Sequence, residues 1–334
     1  MIKTSHYRED GAGFFCTPKG NDQVLKLIKI TNKKFLKREE MRKWAINLFC
    51  LSLLLFLSSC ATGLLSENDL VTEEFMLPGT FQGPSGTYTA NLDTLVIRPN
   101  DGQPHPMAVI NHGVDGHDLK SISVEKMRGM AIEFARRGWV AVAFTRRGFG
   151  KSEGQYVEGP SEPMVAGYQR GGRIASKDIR EVMRLMSEKS YVNSSRIICI
   201  GVSGGGFATL ALTAYPPPGL VAAINFAGGL SAHVKGTDSV FAIRNESAEV
   251  EAFGRYGKTS RIPTLWVYAA NDRLFDHTFA MRLYTAFTDA GGKAEFVTGL
   301  AWGDNGHWMF FNSTVWAWYV DDFLKKREQH EWKD

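Results

Sequence analysis

Ser203 is the side chain in this sequence best placed to act as a nucleophile. It lies within residues 201–205 (GVSGG), after the apolar run 196–200 (RIICI) and before the small-residue, helix-like stretch 207–214. A strand, a glycine-flanked serine and a helix in succession make a sharp turn that exposes the hydroxyl at the helix N-terminus. The glycines are needed because such a turn leaves no room for side chains beside the serine. The pattern predicts nucleophilic catalysis by Ser203.

A serine hydroxyl is a weak nucleophile unless a base accepts its proton and an acid orients that base. Asp272 follows a predicted strand at 264–269, and His307 follows the last predicted strand, at 294–297. The chain order serine, aspartate, histidine, each at the end of a different strand, is typical of one kind of α/β fold. We expect His307 to take the proton from Ser203 and return it to the leaving group, while Asp272 holds the imidazole.

Two other carboxylates compete with Asp272 for the role of the acid. Asp276 lies further past the strand, and Asp304 is too near His307 in sequence to come from the end of a separate strand. Asp272 fits the role better than either of them and is the predicted partner of the imidazole.

The remaining histidines do not predict a metal site. His277 follows no strand and is expected at the start of a helix. His112 and His117 have carboxylates nearby, but without any of the spacings that metal sites use. We interpret both as loop or structural residues, and we expect neither a metal nor another cofactor.

Hydrolysis also requires hydrogen-bond donors for the negative charge that develops on the substrate oxygen. One is expected to be the backbone N–H of Gly204, directly after the nucleophile. The second is expected from the loop 111–116 (NHGVDG), with Val114 as the donor. Gly113 or a side chain could serve instead of Val114.

Apolar strand-like segments alternate with helical patterns over most of the chain. This alternation predicts an α/β fold, with a mostly parallel, twisted sheet of about eight strands and helices on both faces. A Gly-rich loop at 148–172 is expected near the site, and the weakly periodic segment 228–258 is expected to form a small cap or lid. Predicted strands lie at 92–97, 107–110, 140–144, 197–202, 221–226, 264–269 and 294–297, and predicted helices at 125–137, 177–189, 207–214, 278–289 and 315–327.

The charge of the chain is concentrated near its beginning. The formal net charge is +4, but residues 1–59 hold 11 of the 39 Lys and Arg residues and only 5 of the 35 Asp and Glu residues. The rest of the chain is therefore close to neutral and slightly acidic. No basic surface is left to predict a nucleic-acid partner.

The basic segment has the order of an export signal. From Met41, two basic residues precede an apolar run at 44–57 that is too short to span a bilayer, and small residues follow up to Cys60. The sequence Leu-Ser-Ser-Cys resembles the bacterial lipobox, which implies a signal peptide at 41–59 and a lipid on Cys60. Met41 is then expected to be the true start, and residues 1–40 either a non-native or mis-assigned extension or an unusually long basic region of the signal. We expect an exported lipoprotein, anchored on the periplasmic or outer-membrane face.

Beyond the signal, residues 60–84 are expected to be a tether leading into a first strand, 85–327 the folded domain and 328–334 a polar tail. Because of Ser203, Asp272 and His307 in this order, residues 85–327 resemble the α/β-hydrolases, in particular the dienelactone hydrolases and the prolyl-oligopeptidase-like branch. The His-Gly pair before Val114 resembles an oxyanion turn, and residues 144–152 (FTRRGFGKS) resemble the Arg-Gly-x-Gly-x-Ser loop of these enzymes. Thr145 departs from the aspartate that many relatives carry.

The resemblance implies a serine hydrolase without fixing its substrate. The first hypothesis is an esterase or lactonase that works through an acyl-enzyme on Ser203. The second is a serine peptidase that cleaves short peptides. The third is a surface-anchored binding lipoprotein without turnover. The expected partners are a small ester, lactone or peptide and, through Cys60, a membrane.

Overall fold

A computed structural model describes residues 63–83, 86–114, 118–159, 164–230 and 245–329 of the chain. The chain divides into two compact units, Met1–Gly63 and Leu64–Asp334, and every element below belongs to the second. The predicted extension, the signal peptide and Cys60 lie outside the described residues, as do His117 and residues 231–244 of the predicted lid. Within the described ranges, none of the helices has the length and apolar character needed to cross a bilayer.

Eight strands form one sheet in the order β1-β2-β4-β3-β5-β6-β7-β8. The pairs β1–β2 and β2–β4 are antiparallel, and all other neighbours are parallel. The predicted mostly parallel sheet of about eight strands is therefore confirmed. The strands are β1 (Leu70–Gly83), β2 (Gly86–Pro99), β3 (His105–Asn111), β4 (Val140–Phe144), β5 (Val192–Val202), β6 (Leu220–Phe226), β7 (Thr264–Ala269) and β8 (Ala294–Gly299).

Strand sequences follow their place in the sheet. All five residues of β4 (VAVAF) are buried, because helices cover both faces of the central strands and leave no polar side. The edge strand β1 instead alternates more exposed and more buried positions, and it pairs with β2 along its whole length. It lies within the segment expected to hold the tether and the first strand.

In the part of the chain that the structure describes, six α-helices cover the sheet on both faces. One layer contains α1 and α6, which pack with the strands in one core. The opposite layer contains α2 to α5, which share two further cores with the other face. The helices are α1 (Arg128–Arg136), α2 (Val165–Met186), α3 (Gly204–Thr213), α4 (Glu246–Gly257), α5 (His277–Asp289) and α6 (Ala317–Gln329).

The helix α2 begins twelve residues before the predicted start at 177, so the expected Gly-rich loop at 148–172 is wrong in its last part. The glycines there serve close helix packing. A Cβ on Gly172 would lie 2.3 Å from the hydroxyl oxygen of Tyr256 and 2.9 Å from the Cβ of Ala211. A glycine is needed where α2 approaches α3 and α4, although glycine lowers intrinsic helix propensity.

Part of the predicted lid at 228–258 is a helix in one of the two layers that pack on the sheet. Residues Glu246–Gly257 form α4, which buries Ala252, Phe253 and Tyr256 against its neighbours. Its apolar periodicity is weak because its buried face also includes glycine and the carboxylate-bearing Glu249. This part of the segment is therefore a structural layer of the domain.

Candidate active site

The three predicted catalytic residues follow three parallel strands at the same edge of the sheet. Ser203 follows β5, Asp272 follows β7, and His307 follows β8 in a short 3-10 turn. Because β5 to β8 run parallel, their carboxyl ends meet at one edge. This edge is where sheets of this type bind ligands.

Ser203 has an unusual backbone conformation, with φ 53° and ψ −124°. Its N–H donates to the carbonyl of Phe226 at 2.9 Å, and its carbonyl accepts the N–H of Gly229 at 3.2 Å. A Cβ on Gly201 would lie 2.2 Å from the carbonyl oxygen of Gly205, so the turn admits no larger residue there. A strained, half-buried serine at the start of α3 fits the predicted sharp turn between strand and helix, which we call the elbow. Such strain costs about 1–3 kcal/mol.

Asp272 and His307 are joined by a buried hydrogen bond of 3.0 Å between Oδ2 and Nδ1. The other carboxylate oxygen accepts the backbone N–H groups of Leu274 at 2.8 Å and Phe275 at 2.9 Å. An ionised carboxylate can only accept, so Nδ1 of His307 must carry the proton. In the neutral imidazole Nε2 then carries no proton and can act as a base.

Aromatic rings hold the imidazole of His307 on two sides. The buried ring of Phe275 lies 5.4 Å from it and the half-exposed ring of Trp308 lies 5.1 Å from it, measured between centroids. A Cβ on Gly229 would lie 2.5 Å from the Phe275 ring. Since Gly229 also hydrogen-bonds the carbonyl of Ser203, this ring connects the imidazole with the elbow.

The competing acids lie elsewhere. The carboxylate of Asp276 accepts an N–H in the first turn of α5 at 2.9 Å and therefore caps that helix. Asp304 is exposed, and His277 is exposed at the start of α5. Of the three carboxylates weighed from the sequence, Asp272 is the one that contacts His307.

The two predicted oxyanion donors are neighbours in space. Gly204 is the first residue of α3, and a Cβ on it would lie 2.7 Å from Cγ2 of Val114. A Cβ on Gly113 would lie 3.6 Å from Oγ of Ser203. The loop after β3 therefore passes directly beside the nucleophile.

His112 supports this loop as a buried, neutral residue. Its Nδ1 donates to the carbonyl of Gly113 at 2.5 Å, and its Nε2 accepts the backbone N–H of Arg146 at 3.0 Å. Burial and the nearby Arg146 guanidinium lower the pKa of His112 well below its ordinary value. The imidazole thus has a structural part in the site, as the sequence analysis interpreted it.

The Arg146 side chain is a second buried group beside this loop, after His112, and the sequence predicted no role for it. Its Nε donates to Glu158 at 2.7 Å, and its Nη1 donates to Oδ1 of Asn111 at 2.8 Å and to the carbonyl of His112 at 2.7 Å. Burial raises the pKa of the Glu158 carboxyl, and the guanidinium acts in the opposite direction. An arginine two residues after the wholly apolar strand β4 is a signal for a buried charge. Its partner twelve residues later has no sequence signal.

The described residues contain one free cysteine, Cys199. Burial raises the pKa of the Cys199 thiol to about 12, so this cysteine in β5 stays protonated. Among the residues the structure describes, no group of three or more His, Cys, Asp or Glu side chains could hold a metal ion.

A model of the X-Pro dipeptidyl-peptidase (S15) family matches residues 88–237 of this chain. The matched part includes Ser203 and ends before Asp272 and His307. No curated protein matches the chain.

Solved structures show where this architecture occurs. The esterase Pf2001 of Pyrococcus furiosus is 15% identical, with a TM-score of 0.55 over 79% of this chain and 95% of that one. Thermogutta terrifontis esterase 2, phosphoramylated by tabun, is 17% identical, with a TM-score of 0.51 over 76% and 94% of the two chains. The chain has the α/β-hydrolase fold. At these identities the likeness extends to the fold and no further.

The α/β-hydrolase fold explains why residues distant in sequence meet at one edge. It joins Asp272 to His307 directly and brings Val114 beside Gly204, while Ser203 occupies the turn between β5 and α3. The arrangement holds a hydroxyl, an imidazole bonded to a carboxylate, and backbone groups beside the hydroxyl, which are the chemical groups that acyl transfer requires.

Proposed function

We propose that this protein is a serine hydrolase that cleaves carboxylic ester or lactone bonds through an acyl-enzyme on Ser203. The buried hydrogen bond between Asp272 and His307, at the same sheet edge as the strained serine, carries the proposal. A general base requires this arrangement, in which a carboxylate orients one ring nitrogen and the other nitrogen accepts a proton. A histidine with a structural role alone does not require it.

The reaction proceeds in two halves. In the first, Oγ of Ser203 attacks the carbonyl carbon while Nε2 of His307 takes its proton, and the carbonyl oxygen becomes an oxyanion facing Gly204 and Val114. The tetrahedral intermediate collapses, the bond to the leaving oxygen breaks, and the imidazolium protonates that oxygen. In the second half a water molecule attacks the acyl carbon while Nε2 of His307 takes its proton. The bond to Oγ of Ser203 then breaks, the imidazolium returns the proton to Oγ, and the carboxylic acid leaves.

Asp272 remains ionised throughout. Its charge stabilises the imidazolium that exists between the two proton transfers, and its hydrogen bond keeps Nδ1 protonated. In a lactone, the leaving alcohol stays attached to the acyl group until the second half releases a hydroxy acid.

Two observations bear on the substrate class. The solved structures quoted above are of esterases, which makes small esters the first substrates to test. The family model is that of an X-Pro dipeptidyl-peptidase, which favours a second candidate function, the cleavage of short peptides. The two reactions share the nucleophile and differ in the leaving group, an alcohol or an amine.

A substrate panel tests the proposal and separates its two forms. Turnover of p-nitrophenyl acetate, butyrate and octanoate is compared with turnover of Xaa-Pro p-nitroanilides, for wild type, Ser203→Ala and the exposed control Ser195→Ala. Ester turnover that disappears in Ser203→Ala and persists in Ser195→Ala is the expected result. Faster anilide turnover would identify a peptidase. The absence of turnover of both substrate classes would contradict the proposal and favour the third hypothesis, a binding lipoprotein without turnover.

For localisation, we propose that the mature chain begins at Cys60 and is anchored in a bacterial membrane by a lipid on that cysteine. The order of basic, apolar and small residues before Cys60 supports this proposal. The full-length chain is expressed in a bacterial host with a radiolabelled fatty acid, beside Cys60→Ser. Label in the membrane fraction of wild type and its absence from the variant are expected. A variant that still fractionates with the membrane would rule out the anchor.

A further inference from the structure

The Arg146 guanidinium hydrogen-bonds two residues at the start of the loop that leads to Val114. It is fully buried, and one of its nitrogens, Nη1, donates at once to the carbonyl of His112 and to the side chain of Asn111. The carbonyl of His112 is two residues before Val114, so this bond fixes the backbone that leads to the second predicted donor.

The Asn111 side chain extends the same contact to the nucleophile side. Its Nδ2 donates to the carbonyl of Gly205 at 3.2 Å and to the hydroxyl of Thr209 at 2.8 Å, both in α3. Gly205 is the residue directly after the first predicted donor, Gly204. Arg146 is therefore connected through Asn111 to one donor and through His112 to the other.

The orientation of the guanidinium is set from its opposite side. Glu158 accepts the Nε proton at 2.7 Å, and its carboxylate is buried. Because the guanidinium is planar and its N–H directions are fixed, a bond at Nε determines where Nη1 points. Without the Glu158 charge, Arg146 would be an unpaired buried cation, and it would gain by turning toward water.

We infer that the Arg146–Glu158 ion pair is a positioning unit that holds the N–H groups of Val114 and Gly204 at the spacing needed to bind the oxyanion. This inference rests on the proposed function. Neither side chain touches the substrate. Their effect is on the transition state, because oxyanion donors bind the charge that develops there more strongly than the neutral carbonyl of the bound ester.

The chain offers a matched control in the next residue. Arg147 is also largely buried, and its guanidinium pairs with the buried carboxylate of Asp178, with a 2.8 Å bond from Nε. Its side chain packs over the ring of Phe81, and it makes no hydrogen bond to Asn111 or His112, both of which lie in the described part of the chain. Glu158→Gln and Asp178→Asn each remove one carboxylate charge from a buried arginine pair. Asp178 also accepts the backbone N–H of Arg147, and of the two carboxylates only Glu158 bonds the guanidinium that contacts the oxyanion loop.

The experiment measures kcat and KM for p-nitrophenyl acetate, the inhibition constant of an alkyl trifluoromethyl ketone, and the melting temperature. The ketone forms a tetrahedral adduct whose oxyanion occupies the hole. For Glu158→Gln we expect kcat to fall about 10- to 100-fold and ketone affinity to fall by a similar factor, with KM within about 3-fold of wild type. Asp178→Asn is expected to lower the melting temperature comparably and to keep kcat within about 2-fold.

Wild-type kcat and ketone affinity in Glu158→Gln would overturn the inference, as would an equal loss of kcat in Asp178→Asn, which would indicate general loosening. If Glu158→Gln does not fold, Glu158→Asp and Arg146→Lys take its place with the same readouts, since each keeps the charge and alters the geometry. These outcomes are read against Ser203→Ala. Activity that survives in Ser203→Ala refutes the proposed function itself, whatever the ion pair does.

Discussion

Replacing Asp272 by asparagine keeps the size of the side chain and should move the ring proton of His307 from Nδ1 to Nε2. Oδ1 of Asp272 accepts two backbone N–H groups, from Leu274 and Phe275. In the variant the amide oxygen must stay on these two donors, because an NH₂ group there would face them without an acceptor. The NH₂ group then points at Nδ1 of His307, which must become the acceptor. The ring proton moves to Nε2, where it blocks uptake of the proton from Ser203.

The size of the effect follows from this tautomer change. Asp-to-Asn replacement in a comparable Ser-His-Asp triad lowers kcat about 10⁴-fold. Each tenfold change is about 1.36 kcal/mol, so the barrier rises by about 5.4 kcal/mol. The two backbone bonds to the side chain remain, and the free energy of unfolding should change by no more than about 1–2 kcal/mol. Activity should therefore fall far more than stability.

The assay compares kcat for p-nitrophenyl acetate and the melting temperature in wild type, Asp272→Asn and the control Asp276→Asn. The control alters a carboxylate four residues away that caps α5 and does not contact His307. It should lose at most about 1 kcal/mol of stability and keep its activity. An Asp272→Asn variant with kcat within tenfold of wild type would show that this carboxylate does not orient the base.

Three further outcomes follow from named contacts. The buried, neutral His112 stabilises the fold above pH 6.5, and about 1 kcal/mol of that contribution should be lost between pH 7.5 and 5.5, because the unfolded imidazole binds a proton that the folded one does not. Urea titrations of His112→Gln at both pH values should lack this part of the pH dependence, and an unchanged dependence would refute it. Gly172→Ala should lower the free energy of unfolding by about 1–3 kcal/mol because its Cβ would strike Tyr256, whereas Gly129→Ala, which faces open space, should be close to neutral; equal losses would contradict the packing argument. Trp308→Ala should lower kcat/KM for p-nitrophenyl octanoate about tenfold more than for the acetate, because the exposed part of its ring lies beside the catalytic imidazole, and equal losses would exclude contact with the acyl chain.

The sequence predicts most of the sheet and the order of the site residues because both depend on local patterns. Buried parallel strands are short apolar runs, and the elbow is a strand, a glycine-flanked serine and a helix within about twenty residues. The positions of Asp272 and His307 after strands β7 and β8 follow from the same reading. Their hydrogen bond is an observation of the structure.

The missed features depend on contacts between distant segments. Gly172 looks like a loop residue because glycine disfavours helices, and only the neighbouring helices show why the position must be small. Arg146, Glu158 and Asn111 meet across 47 residues of chain, from a strand end to a loop of low regularity, so no periodicity marks them.

The central claim is that His307, held by Asp272, activates the hydroxyl of Ser203. Reaction with a fluorophosphonate, followed by intact mass and peptide mapping, measures this most directly in wild type, Ser203→Ala and His307→Ala. The account predicts one adduct on the peptide containing Ser203, none in Ser203→Ala, and labelling slower by about three decades or more in His307→Ala. An adduct on another residue, or labelling of His307→Ala at the wild-type rate, would contradict it.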